Sequence, residues 1–136
     1  MAAMSSPDKN SQNTSTGNTY NGAVSFQYPS DWQLSQGSGG SHMAIVKNGG
    51  GDGNEIGIDI LSVGIVDEKT SLVVDGYAFN GKKEISGIKC YIYQNNEGYD
   101  AYHQTVYLFE KSGKVIEIVG NLSYDYVMEK IVSTIQ

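Results

Sequence analysis

The chain has 136 residues, a length suited to one domain with a single core. Its 15 acidic residues outnumber nine basic ones, all of them Lys, for a net charge of -6. Without an Arg fork or a basic balance, nucleic acid and anionic membrane surfaces are disfavoured as partners, and one cysteine allows neither an internal disulfide nor a multi-cysteine zinc site.

Residues 1–19 are read as a flexible Ser/Thr/Asn-rich tether, because the small polar run over 5–19 offers too little surface to bury against its ordering entropy. Such tethers stand between a membrane anchor and an exported domain, so the expectation is an extracytoplasmic, cell-surface protein whose native signal or anchor is not in this chain. The sequons Asn13-Thr14-Ser15 and Asn121-Leu122-Ser123 lend export slight further support. Residues 20–136 are expected to form one domain.

From Tyr20 the pattern turns to period two. Val24, Phe26 and Tyr28 alternate with Ser25 and Gln27 in a first strand that stops at the turn cluster Pro29-Ser30-Asp31. The segment Gln36–Met43 has the composition of an engineered linker with a cleavage scar or of a natural variable loop, and either origin makes His42 an exposed loop residue. Met43–Lys47 is a second, short strand. Ile56, Ile58 and Ile60 alternate with Gly57, Asp59 and Leu61 in a third that runs on to Val63. Between them, Asn48–Asn54 is a glycine-rich loop.

Residues 69–79 are read as a short middle helix with Leu72, Val73, Gly76, Tyr77 and Phe79 on one face. Ile88, Cys90 and Ile92 then alternate with Lys89, Tyr91 and Tyr93, and a turn follows at Asn95–Gly98. Tyr102–Glu110 and Val115–Leu122 form a hairpin about Ser112-Gly113. The closing helix has Ser123 as N-cap and Asp125 in its first turn. Tyr124, Val127, Met128, Ile131, Val132 and Ile135 form its apolar stripe at helical spacing. Together these elements predict an α+β fold, an antiparallel β-sheet with helices packed on it.

Phe26-Gln27-Tyr28-Pro29-Ser30-Asp31-Trp32 resembles the opening of the PsbP-like domains, in which an apolar strand ends in Tyr-Pro and a later aromatic covers the sheet. Ile85-Ser86-Gly87-Ile88-Lys89-Cys90-Tyr91 is similar to a later strand of that family, and the hairpin and closing helix also match. The resemblance covers residues 20–136 on short motifs, with lipoprotein-type archaeal members the nearest in appearance. It implies an α/β/α sandwich and a role that is extrinsic, tethered and non-enzymatic. The family holds unrelated jobs on one fold, so no site residue is carried over from it.

Candidate chemistry is sparse. Cys90 lies on the Ile88/Ile92 side of its strand and is expected to be a buried, unreactive thiol. His103 is read as a surface histidine. Asp59 and Glu117 are the candidates for a paired-acid hydrolase, but their alternation with apolar neighbours places them on the solvent side of the sheet. Asp52, Asn54 and Glu55 offer oxygen ligands for a calcium-responsive module, without the spacing of an EF-hand. Tyr91, Tyr93, Tyr99 and Tyr102 are the candidate binding residues, since a Tyr ring gives broad contact with a polar tip. If the middle helix covers that face, these rings become second-layer core. The expected function is a monomeric, non-enzymatic binding or adaptor domain without a cofactor, whose partner is a protein or cell-envelope component.

Overall fold

The computed structural model describes residues 17–36, 41–49, 54–95 and 104–136. In chain order the elements are β1 (Gly17–Asn21), β2 (Ser25–Pro29), β3 (Trp32–Gln36), β4 (His42–Lys47), β5 (Glu55–Leu61), α1 (Ile65–Val74), β6 (Ala78–Ile85), β7 (Ile88–Asn95), β8 (Gln104–Lys111), β9 (Lys114–Asn121) and α2 (Asp125–Thr134). Strands β3 to β9 form one seven-stranded sheet in the order β3-β4-β5-β9-β8-β7-β6, and β1 and β2 form a separate two-stranded ribbon. Every pairing is antiparallel. The protein is therefore an α+β domain, an antiparallel sheet with two helices packed on it.

Period-two alternation gives the sheet two apolar faces. Met43, Ile45, Ile56, Ile58, Cys90, Ile92, Tyr107, Phe109, Ile116 and Ile118 share the main core with α2 and with the aromatics Tyr20, Phe26 and Tyr28 of the ribbon. The α2 stripe is as expected, with Val127, Met128, Ile131, Val132 and Ile135 buried. Gly120 of β9 makes this approach possible. A Cβ there would stand 2.8 Å from Cγ1 of Ile56, its register partner, and 3.4 Å from Sδ of Met128. The ribbon clamps the end of the helix: Ser25 and Gln136 exchange backbone bonds of 2.9 and 2.8 Å, and the Gln27 amide donates to Thr134 Oγ1 at 2.9 Å. Trp32, at the start of β3, is buried edge-on against Tyr124, with ring centroids 4.8 Å apart.

The second face is smaller. Leu72 of α1 packs there on Tyr93, Val106, Leu108 and Val115.

Several boundaries differ from the sequence expectation. β1 takes in residues 17–19, which the tether had included, because Tyr20 pairs with Phe26 and carries its neighbours into the ribbon. The middle helix covers 65–74 rather than 69–79. Gly76, at φ +97°, turns the chain out of the helix, and Tyr77 leads into β6. Strands β3 and β6 had no sequence signal. β6 is an edge strand with a register shift between Phe79 and Lys82, and only Gly81 and Ile85 in it are even half-buried, so no alternation exists to read. The helical cap also moves. Asn121, not Ser123, caps the single 3-10 turn Leu122–Tyr124 by accepting from the Ser123 amide at 2.9 Å, and α2 proper begins at Asp125. The turns Ser86-Gly87 and Ser112-Gly113 have positive φ at both residues, the geometry that two-residue hairpins require.

These contacts predict a sharp contrast within α2. Met128→Ala, at a site with no exposure, should lower unfolding stability by about 2–5 kcal/mol in urea denaturation. Tyr126→Ala, on the exposed side of the same helix, should stay within about 0.5 kcal/mol of the parent. Equal losses for the two would show that α2 is not packed through its stripe.

Candidate functional site

The face beneath α1 gathers most of the residues that chemistry would single out. Glu117 of β9 lies between Val115 and Val119 and faces Leu108 on one side and Asp59 on the other, each its register partner. The expected solvent-side position of Glu117 is corrected here: it is only 9% exposed, because α1 lies over it. Glu68 precedes Leu72 by four residues and so shares the helix face that meets the sheet. Burial, then hydrogen bonding to and repulsion from Glu68, then the charges of Asp59 and Asp75, push the Glu117 carboxyl up to about 8. Its Oε2 atom is buried with no hydrogen-bond partner.

Asp59 and Glu117 are thus brought together, as a paired-acid reading requires. His42 joins them. Far from being a loop residue, it opens β4 opposite Asp59, with Nδ1 2.6 Å from Oδ1 of that carboxylate. No sequence spacing links residues 42, 59, 68 and 117, since only strand pairing and the placement of α1 make them neighbours.

Of the candidate tyrosines, Tyr91 and Tyr93 follow the covered alternative. Tyr93 is 4% exposed, packed edge-on against Phe79 with centroids 5.4 Å apart, and burial raises the pKa of its hydroxyl. Tyr91 is half-buried, with the Lys69 ammonium of α1 3.5 Å from its ring centroid. Tyr77 donates to Gln104 Oε1 at 2.7 Å, and burial followed by the Glu117 charge raises its pKa. Tyr99 and Tyr102 lie outside the described residues, as do Asp52 and His103. Of the other two proposed calcium ligands, Asn54 accepts the Tyr124 hydroxyl through Oδ1 and Glu55 is exposed at the start of β5. Among the described residues, no three His, Cys, Asp or Glu side chains are placed to hold a metal ion.

On the opposite face, Tyr107 donates to Asp125 at the start of α2, and Lys83 pairs with Glu129. Burial first, then the hydrogen bond to Asp125, raises the Tyr107 pKa, while the Lys83 bond lowers that of Glu129. An open cleft of about 250 Å³ lies above them, lined in part by Asn80, Lys82, Lys83 and Gln94. A second open cleft, of about 330 Å³, lies along β3 and β4. Neither is lined by Asp59, Glu68 or Glu117.

α1 leaves both polar and apolar side chains in solvent, with Asp67, Thr70 and Ser71 exposed beside three valines. Val63, Val66, Val73, Val74 and Phe79 are 44%, 70%, 58%, 79% and 53% exposed, and all lie on α1 or its flanks.

Fold and site together define an α+β domain with a two-faced antiparallel sheet and an apolar helix on its smaller face. No family model matches the chain. No curated protein matches it. Among solved structures, it is similar to a crystal structure of a protein from Bacteroides thetaiotaomicron VPI-5482, with 14% identity and a TM-score of 0.57. The match covers 83% of this chain and 44% of that one, so this chain corresponds to under half of the other protein's length. At that identity the likeness concerns the fold alone. No helix among the described residues is long and apolar enough to cross a membrane.

Cys90 gives a direct check of the core assignment. Burial raises its thiol to about 12. A disulfide reagent at pH 8 should leave the native protein unlabelled over minutes and label one thiol at once in denaturant. Rapid labelling of the native protein would contradict the placement of Cys90 in the core.

Proposed function

We propose that this is a non-enzymatic binding domain that takes a protein or cell-envelope partner on the outer surface of α1 and the start of β6. The observation that carries the reading is the exposed set Val63, Val66, Val73, Val74 and Phe79. A helix on a sheet ordinarily turns mainly polar residues to water, so large apolar side chains exposed on α1 and its flanks, beside exposed Asp67, Thr70 and Ser71, support an interaction site. The supporting contrast is chemical. The lone thiol is buried, and the carboxyls with the most perturbed environment sit under a helix rather than in either described cleft. The proposed setting is extracytoplasmic, with a native tether, on the composition of residues 5–19. The PsbP-like reading belongs to the same proposal, supported by the Tyr28-Pro29 strand end and the burial of Trp32.

The binding surface differs from the tyrosine patch expected from sequence. Tyr93 is inside, and the surface is made by the helix that covers it.

Site-specific photo-crosslinking in the cell of origin tests the reading. A photoreactive residue at Val66 or Val73 should trap a discrete partner, whereas one at exposed Glu110, on β8, should not. Equal trapping at all three positions, or none at either valine, would overturn it.

A further inference from the structure

The attachment of α1 to the sheet is unusual in what it buries. Leu72 is the one buried residue of the helix. Four residues earlier, Glu68 meets the same face, and beneath it stands Glu117, nine-tenths buried with Oε2 unpartnered. Among the described residues, no cation pairs with this carboxyl. The groups that face it are Glu68 from α1, Asp75 just beyond that helix, Asp59 from β5 and the Tyr77 hydroxyl. Leu108 of β8 is its apolar neighbour. The nearby basic side chains are committed elsewhere, the Lys69 ammonium over the Tyr91 ring and the His42 imidazole on Asp59.

A buried carboxylate facing three others without a counter-charge is strongly disfavoured, but a protonated carboxyl is not. Two carboxyls sharing one proton form a stable contact, and two ionised ones repel. We propose that Glu68 and Glu117 form a clasp, in which the protonated Glu117 carboxyl bonds Glu68, that docks α1 on the sheet at low pH and lets it lift as Glu117 ionises. Lifting uncovers the apolar face of Tyr93, Val106, Leu108 and Val115, so proton concentration controls how much of the sheet α1 covers.

The direction of the effect follows from the protons bound. With α1 lifted, Glu117 returns to its ordinary value of 4.5, and with α1 docked it stands at about 8. Between these values the docked state holds more protons, so docking weakens as pH rises. The contribution is complete below 4.5 and gone above about 8. The clasp stands whether or not the outer surface of α1 receives a partner.

Hydrogen exchange of the full chain, corrected for intrinsic rates at pH 5.5, 6.5, 7.5 and 8.5, tests this. Protection of residues 65–77 should fall by about tenfold or more across the series, the limit for one proton being about tenfold per pH unit. Strands β8 and β9 should hold their protection throughout. Glu117→Gln keeps the shape of the side chain without its charge and should flatten the α1 profile at its low-pH level. Glu68→Gln, on the half-buried helix side of the pair, should make the fall shallower while burial still holds the Glu117 carboxyl up, and serves if the core variant folds poorly. A flat profile in the parent protein overturns the proposal. So does a fall shared equally by β8 and β9, or one that is unchanged in both glutamine variants.

Discussion

The burial of α2 against the broad face of the sheet is the contact on which the rest of the domain depends. Its stripe meets β5, β8, β9 and β7 over a surface made flat by Gly120, and five of its side chains lose nearly all exposure. The gain is about 1.5–3 kcal/mol for each large apolar side chain taken from water. The β1–β2 ribbon adds to it by pairing with the end of the helix and laying Tyr20, Phe26 and Tyr28 beside it. Trp32 and Tyr124 close the same layer where β3 begins.

One face so well covered leaves the other to a helix of ten residues with a single buried side chain. The imbalance accounts for the properties of the α1 side. Only Leu72 of α1 turns into the sheet, and the valines at 66, 73 and 74 stay in solvent. Its acidic first turn, Asp67 and Glu68, suits the helix dipole but brings a carboxylate down beside Glu117. The arrangement is less favourable for stability than apolar packing would be. Elements held weakly in this way are the ones that can move or be captured without unfolding the core. Structure and proposed function therefore meet on α1.

The edges of the sheet point the same way. β6 carries Lys82 and Lys83 beside a register shift, features that discourage another strand from pairing there. β3, the other edge, is also interrupted, between Leu34 and Gln36. With both edges interrupted, the helix surface is the more suitable place for a partner.

Sequence alone was enough for the long regular elements, because periodicity reports burial wherever an element has one wet and one dry side. The α2 stripe, the alternation in β5 and β7 and the Ser112-Gly113 turn were all legible for that reason. So was the burial of Cys90 between Ile88 and Ile92. β6 was not legible, since an exposed edge strand has no dry side, and β1 was hidden in a polar run because only Tyr20 in it is buried. The grouping of polar side chains under α1 lay further out of reach. Residues 42, 59, 68 and 117 sit on β4, β5, α1 and β9, and no spacing rule spans such separations. Alternation placed Glu117 on the face away from the main core, which is correct. Whether that face is wet or dry depends on where α1 comes to rest, and only the tertiary structure decides that.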